Sequence, residues 1–164
     1  MEIPFLKIGV LTVSDRCYNG QMKDENFPAI KDMVSKIGEV VVHETVPDEK
    51  SLISSKIVEF CDNLNVDLVL TAGGTGFSPR DVTPEATLAV IEKEVPGIPE
   101  IMRVSTFFSK TKKSILSRGV AGIRGKSLII NLPGNPNGVK EDLEVVMDVL
   151  PLGISILKGM KEGI

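Results

Sequence analysis

Apolar residues fall in blocks along the chain, and the spacing within the blocks changes. Lys7 to Ser14, KIGVLTVS, is short and rich in branched residues, which suits a buried strand ending at Ser14 and Asp15. After a polar stretch from Gly20 to Glu25, residues Phe27, Ile30, Val34 and Ile37 share one face of a helix that starts near Asn26 and stops at Gly38. Glu39 to Val46 alternates more weakly and reads as a second strand, closed by Pro47 and Asp48. Asp48 is well placed as the N-cap of a helix running to about Leu64, in which Leu52, Ile53, Ile57 and Phe60 repeat at helical spacing.

The centre of the pattern is Asp67 to Thr87, DLVLTAGGTGFSPRDVTPEAT. Leu68, Val69 and Leu70 make a strand that empties into Gly73, Gly74 and Gly76, where the absence of a Cβ permits a tight turn with inward N–H groups. Thr83 as cap, Pro84 and Glu85 then open a helix whose spacing extends to Glu94, with Leu88 and Ile91 on its buried side. Pro96, Gly97 and Pro99 interrupt order before a helix over Ile101 to Phe108, and Ser109 to Gly125 is too mixed to assign. Ser127 to Leu132, SLIINL, is the last buried strand and ends in the turn residues Pro133 to Gly138. Two helices, about Val139 to Leu150 and Leu152 to Met160, are parted by Pro151.

Strands alternating with helices predict an α/β fold: a mostly parallel twisted sheet with helices on both faces, in three layers. With 164 residues and 42% hydrophobic content, one domain over residues 1–164 is expected. Ligands on such sheets gather at the carboxyl ends of the strands, near a switch in strand order. Ser14 and Asp15, Asp48, Gly73 to Asp81, and Asn131 to Asn135 all fall on that rim.

A strand, a glycine turn and a helix in succession form a recognised phosphate cradle, and equally a plain tight connection. Arg80 and Asp81 within the turn offer a phosphate-directed fork and a carboxylate for a divalent cation. Asp48 with Asp81 would supply a magnesium site completed by substrate phosphates. Each residue also has a structural reading: Asp48 as a cap, Ser14 and Asp15 as turn formers, Asn131 at a strand end.

Charge and composition narrow the partners. The formal net charge is −3, yet Ile101 to Lys140 carries eight basic residues and no Asp or Glu, which suits an anionic small molecule. One Tyr and no Trp give nucleic acid a poor stacking platform. Cys17 and Cys61 read as reduced thiols, and Ile8 to Val13 is too short for a membrane span or signal core, so a soluble cytoplasmic protein without membrane contact is expected. Gly125, Lys126 and Ser127 imitate the tail of a Walker A loop, but Val120 stands where its first glycine belongs, and the segment leads into a strand. Pro79 breaks the dinucleotide fingerprint. His43 is the single histidine, so histidine triads and zinc sites have little support.

The stretch LTAGGTGFSPRDVTPEAT resembles the signature of the molybdenum cofactor biosynthesis proteins of the MogA/MoaB type, shared with the G domain of gephyrin. TVSD at Thr12 to Asp15, VPDE at Val46 to Glu49 and SRGVAGIRGKSLIINLPGNP from Ser117 to Pro136 extend the likeness over nearly the whole chain. The resemblance implies the molybdopterin-binding fold and a molybdopterin adenylyltransferase that moves AMP from MgATP to the terminal phosphate of molybdopterin. It implies Asp48 and Asp81 as the essential carboxylates and magnesium positions. Ser14, Asp15, Gly73, Gly74, Thr75 and Gly76 would line the phosphate sites, with Ser117, Asn131, Pro133, Gly134 and Asn135 helping to bind the substrates. It further implies a homotrimer and a downstream molybdenum-insertion partner. Ala72 and Asn135 depart from the commonest pattern, many relatives having a second Thr at the first position. A non-catalytic molybdopterin-binding scaffold and a nucleotide hydrolase are the alternative readings.

Overall fold

A computed structural model describes residues 4–160. Strand β1 (Leu6–Val13) is followed by the short helix α1 (Asp15–Tyr18) and by α2 (Asn26–Val34). Strand β2 (Gly38–Val46) leads into α3 (Lys50–Val58), which continues as a wider π-helical turn over Glu59–Asn63. Strand β3 (Leu68–Ala72) opens into the glycine turn, then come α4 (Thr83–Leu88), the two-residue β4 (Lys93–Glu94) and α5 (Gly97–Ser109). A 3₁₀ turn at Lys112–Leu116 precedes β5 (Ala121–Arg124) and β6 (Ser127–Leu132). Helix α6 (Pro136–Val146), a 3₁₀ turn at Met147–Val149 and α7 (Leu150–Leu157) complete the described elements.

The six strands lie in the order β2-β1-β3-β6-β5-β4. β2, β1, β3 and β6 are parallel, while at one edge β5 pairs antiparallel with β6 and β4 antiparallel with β5. From β1 the chain passes outward to β2 and then returns to β3 on the other side of β1, so strand order switches between β1 and β3. A crevice at the carboxyl ends of these two strands follows from that switch.

Neighbouring side chains on each strand point to opposite faces, which is why the central strands read as unbroken apolar runs. Ile8, Val10, Leu68, Leu70, Ile130 and Leu132 pack with α2, α6 and α7 on one face. Leu11, Val13, Val69 and Ile129 pack with Ile53, Ile57, Phe60 and Ala86 on the other. The result is the expected three-layer α/β sandwich.

Several local expectations are corrected. The helix after the glycine turn ends at Leu88, six residues short of Glu94, and Leu88 is exposed. The chain turns there because Lys93–Glu94 pairs with β5, a non-local partner that helical spacing cannot show. Leu52 is likewise exposed rather than on the buried face of α3. Pro99 does not interrupt α5 but lies in its first turn, where a missing N–H costs no intrahelical bond. Pro151 plays the same part at the start of α7. The segment from Ser109 to Gly125, unassigned by pattern, supplies strand β5, which lies antiparallel between β6 and the edge strand β4.

Candidate active site

Gly73 and Gly74 adopt φ of +105° and +70°, the left-handed region that a Cβ resists, and so reverse the chain directly after β3. The turn is fixed from three sides. Gly73 donates its N–H to Leu132 O at 3.1 Å, tying it to β6. The Thr83 hydroxyl donates to Gly73 O at 2.9 Å, and Thr83 N–H donates to Gly74 O at 3.1 Å. Thr83 is therefore not the cap of α4. Val82 holds that position without a side-chain bond, and the Thr83 hydroxyl braces the turn instead.

The third brace is Arg118, which pattern reading missed. Its backbone N–H donates to Thr75 O at 2.8 Å, its Nε to Gly76 O at 2.8 Å and its Nη2 to Asp81 O at 2.9 Å. Nη1 pairs with Glu85, whose carboxyl is held below its usual range by that contact. One planar guanidinium thus staples both limbs of the turn to α4. Its position in SRG was the available signal, but only the fold brings residue 118 against residues 75–85.

Asp81 lies across the mouth of the turn. Its Oδ2 accepts from Gly76 N at 3.0 Å and from Ser78 N at 3.1 Å, and would stand 2.9 Å from a Cβ placed on Gly76. Asp48 approaches from the other side, with Oδ1 only 3.1 Å from the place a Cβ would take on Gly74. The two carboxylates accordingly flank one glycine turn. Asp48 is not a helix cap: Glu49 occupies that position, and the Asp48 Oδ2 accepts from Asp15 N at 3.0 Å. Among the described residues, the Oδ1 atoms of Asp48 and Asp81 accept no hydrogen bond, and the N–H groups of Gly74, Thr75 and Phe77 donate none.

Electrostatics distinguish the acids. Burial pushes the Asp48 carboxyl above its usual value, and the charges of Asp15 and Asp81 add to that. Asp15 is held below its usual value chiefly by Arg80, whose Nε and Nη2 bind it at 2.6 and 3.0 Å. The fork expected for phosphate is thereby occupied by a neighbouring carboxylate. Ser14 caps α1, its Oγ accepting from Cys17 N at 3.1 Å.

Two hollows lie beside the turn. A shallow groove is lined by Asp48, Lys50, Ser51, Ser54, Arg80 and Val82. A deeper cleft of about 470 Å³ includes Thr75, Gly76, Ser117, Pro133 and Asn135 in its lining. Asn135 also caps α6, its Oδ1 accepting from Gly138 N at 2.7 Å. Gly134 packs with its backbone against Gly73 and borders a smaller hollow with Cys17 and Asn26. Asn131 faces none of these spaces. It is buried, accepting from Val120 N at 3.1 Å and donating to Thr71 and Thr87 at 3.0 and 2.9 Å, which joins β3, β6 and α4. His43 stacks on Phe27 with ring centroids 3.7 Å apart and meets the Thr12 hydroxyl at 3.0 Å, a packing role away from the turn.

Residues 9–152 match the family model described as a probable molybdopterin binding domain. The chain belongs to this family. It is 43% identical over 157 residues to the molybdopterin adenylyltransferase of Helicobacter pylori strain J99, covering 94% of this chain and 89% of that protein. It is 45% identical over 147 residues to the enzyme of the same name from Escherichia coli K12, covering 87% of this chain and 74% of that one. The crystal structure of the molybdopterin biosynthesis enzyme MoaB from Thermus thermophilus superposes with a TM-score of 0.90 at 45% identity, over 94% of this chain and 98% of that chain. In this member of the molybdopterin-binding family, the shared architecture and the doubly flanked glycine turn coincide at the carboxyl ends of β1 and β3. Among the described residues, no helix is long and apolar enough to cross a membrane.

Proposed function

We propose that this protein is a cytoplasmic molybdopterin adenylyltransferase, transferring AMP from ATP taken with magnesium to the terminal phosphate of molybdopterin and releasing pyrophosphate. One observation carries the reading: Asp48 and Asp81 flank a single glycine turn, each with one carboxylate oxygen outside any hydrogen bond among the described residues. The names and high coverage of the H. pylori and E. coli relatives support the reaction.

A terminal phosphate oxygen of molybdopterin attacks the α-phosphorus of ATP, the bond from that phosphorus to the bridging oxygen breaks, and pyrophosphate leaves. The attacking phosphate monoester is largely dianionic at neutral pH, its second pKa lying near about 6, so no histidine base is needed. The work left to the protein is positioning and charge stabilisation. The N–H groups of Gly74, Thr75 and Phe77 are donors for phosphate oxygens, and Arg118 keeps them in place. The pterin side takes the deeper cleft, where Ser117, Lys110 and Lys113 join the lining, and the nucleotide takes the groove that Asp48 and Lys50 border.

Magnesium would be held by Asp48 and Asp81. Among the described residues no group of three His, Cys, Asp or Glu side chains is placed to hold a metal, so a hard cation would complete its oxygen shell from phosphates and water. The free Oδ1 atoms fit that demand. When bound, the ion supplies neutralisation of phosphate charge. The reading also includes a homotrimer and hand-over of product to a metal-insertion protein; the exposed Ile101, Val104 and Phe108 along α5 support self-association.

Purified protein given MgATP and molybdopterin is expected to release one pyrophosphate per adenylated molybdopterin. Folded protein that binds molybdopterin yet releases none would overturn the enzymatic reading in favour of a scaffold.

A further inference from the structure

The deeper cleft contains a group that phosphate binding does not explain. Asp142 on α6 lines it, half-buried and next to Glu141, although the same lining carries Lys110, Lys113, Ser117, Thr75 and Gly76. A carboxylate in a pocket meant only for an anionic chain would repel it. Its hydrogen bonding is also incomplete. The Thr106 hydroxyl donates to Asp142 Oδ1 at a long 3.4 Å, and among the described residues Oδ2 accepts from nothing. Arg103 on α5, whose charge reaches Asp142, gives its Nη1 instead to Ser117 O and Gly119 O at 3.3 and 2.9 Å.

A half-buried carboxylate with one long protein hydrogen bond and an oxygen left to solvent gains from a ligand that brings aligned donors in place of water. Pterin has the matching edge: the ring N3–H and the 2-amino group lie side by side and meet a carboxylate with two parallel bonds. The flat ring also needs apolar walls, which Pro99, Met102, Leu116 and Pro133 provide in the same cleft.

We propose that Asp142 is the residue that reads the pterin ring, accepting from its N3–H and 2-amino group. This rests on the adenylyltransferase reading and adds to it a specificity residue outside the glycine turn. Burial, with the neighbouring Glu141, pushes the Asp142 carboxyl up to about 6, which leaves it mostly ionised and able to accept at pH 8. A lumazine, which carries a carbonyl in place of the 2-amino group, would set an acceptor against the carboxylate.

The test compares wild type with Asp142→Asn at pH 8. The wild type is expected to bind 6-hydroxymethylpterin about tenfold or more tightly than 6-hydroxymethyllumazine, because a site built for donors rejects a ligand that lacks one. Asp142→Asn should lose that preference. With molybdopterin as substrate, the variant should show KM raised about tenfold with kcat changed less than about threefold, the signature of lost ground-state binding. Unchanged KM and unchanged ring preference in a folded variant would overturn the proposal, and the KM comparison decides alone if the truncated rings bind too weakly to compare. Wild type that releases no pyrophosphate would instead sink the underlying reading, so the two failures are distinguishable.

Discussion

Asp15 and Asp48 hold one another: the N–H of each donates to the carboxylate of the other, at 3.0 Å in both directions. This reciprocal pair joins the end of β1 to the end of β2, and it aims the remaining Asp48 oxygen at the glycine turn. Two acids can meet so closely because Arg80 neutralises Asp15 from the solvent side.

Asp48→Asn keeps an acceptor for Asp15 N–H while removing the charge. Activity is expected to fall by at least about a hundredfold, with stability at pH 7 unchanged within about 1 kcal/mol or slightly raised. The sign follows from the elevated folded-state pKa: ionisation is disfavoured in the native protein, so neutralising the group relieves the fold at pH 7 and does nothing at low pH. Pyrophosphate release and thermal melts at both pH values measure the two effects.

Asp81 calls for a pair of variants. Its Oδ2 closes the turn on two N–H groups, so Asp81→Ala should abolish transfer and also cost about 1–2 kcal/mol. Asp81→Asn should be as inactive while recovering most of that stability, since the amide oxygen still accepts. Activity restored along with stability in the Asn variant would show that closing the turn was the residue's whole role.

Arg118→Lys preserves charge but not the fork. Lysine cannot reproduce bonds to Gly76 O, Asp81 O and Glu85 at once, so a loss of about 1–3 kcal/mol is expected, with faster exchange of the bonded amides of Gly76, Ser78 and Asp81. Denaturant midpoints and hydrogen exchange check this. Wild-type exchange in the turn would remove Arg118 as its staple.

Stability should also depend on Asp142 in a defined pH window. Its carboxyl titrates near 3.8 when unfolded and at about 6 in the fold, so the native state binds the proton more tightly. The contribution of Asp142 to stability should decline as pH rises between those values and then level off. Asp142→Asn should remove this decline, and the melting temperatures of the two proteins should diverge in the variant's favour from pH 4 to pH 7. Parallel curves would mean that the group is not shifted.

Much of the site was legible because its parts are local. Gly73 and Gly74 announce a backbone that needs left-handed φ and Gly76 one that needs close approach, and β3 and β6 announce burial by their unbroken apolar runs. Local reading went wrong where a side chain had two outlets. Thr83 and Asp48 both suited helix caps, but each found a partner distant in sequence, Gly73 O and Asp15 N, and tertiary contact outcompeted the local bond. Arg80 suited a phosphate and pairs with Asp15, 65 residues away.

The chain by itself determined the four parallel strands and the main helices between them, the glycine turn and the acids nearest to it, since period, branching and the missing Cβ act over a few residues. Only the folded protein decided that β5 runs antiparallel, that Arg118 closes the turn, that Asn131 is spent inside the core and that Asp142 faces the cleft. Those outcomes depend on which distant segments the sheet order brings together, and hydrogen-bond geometry over a few ångströms is not encoded in spacing along the chain.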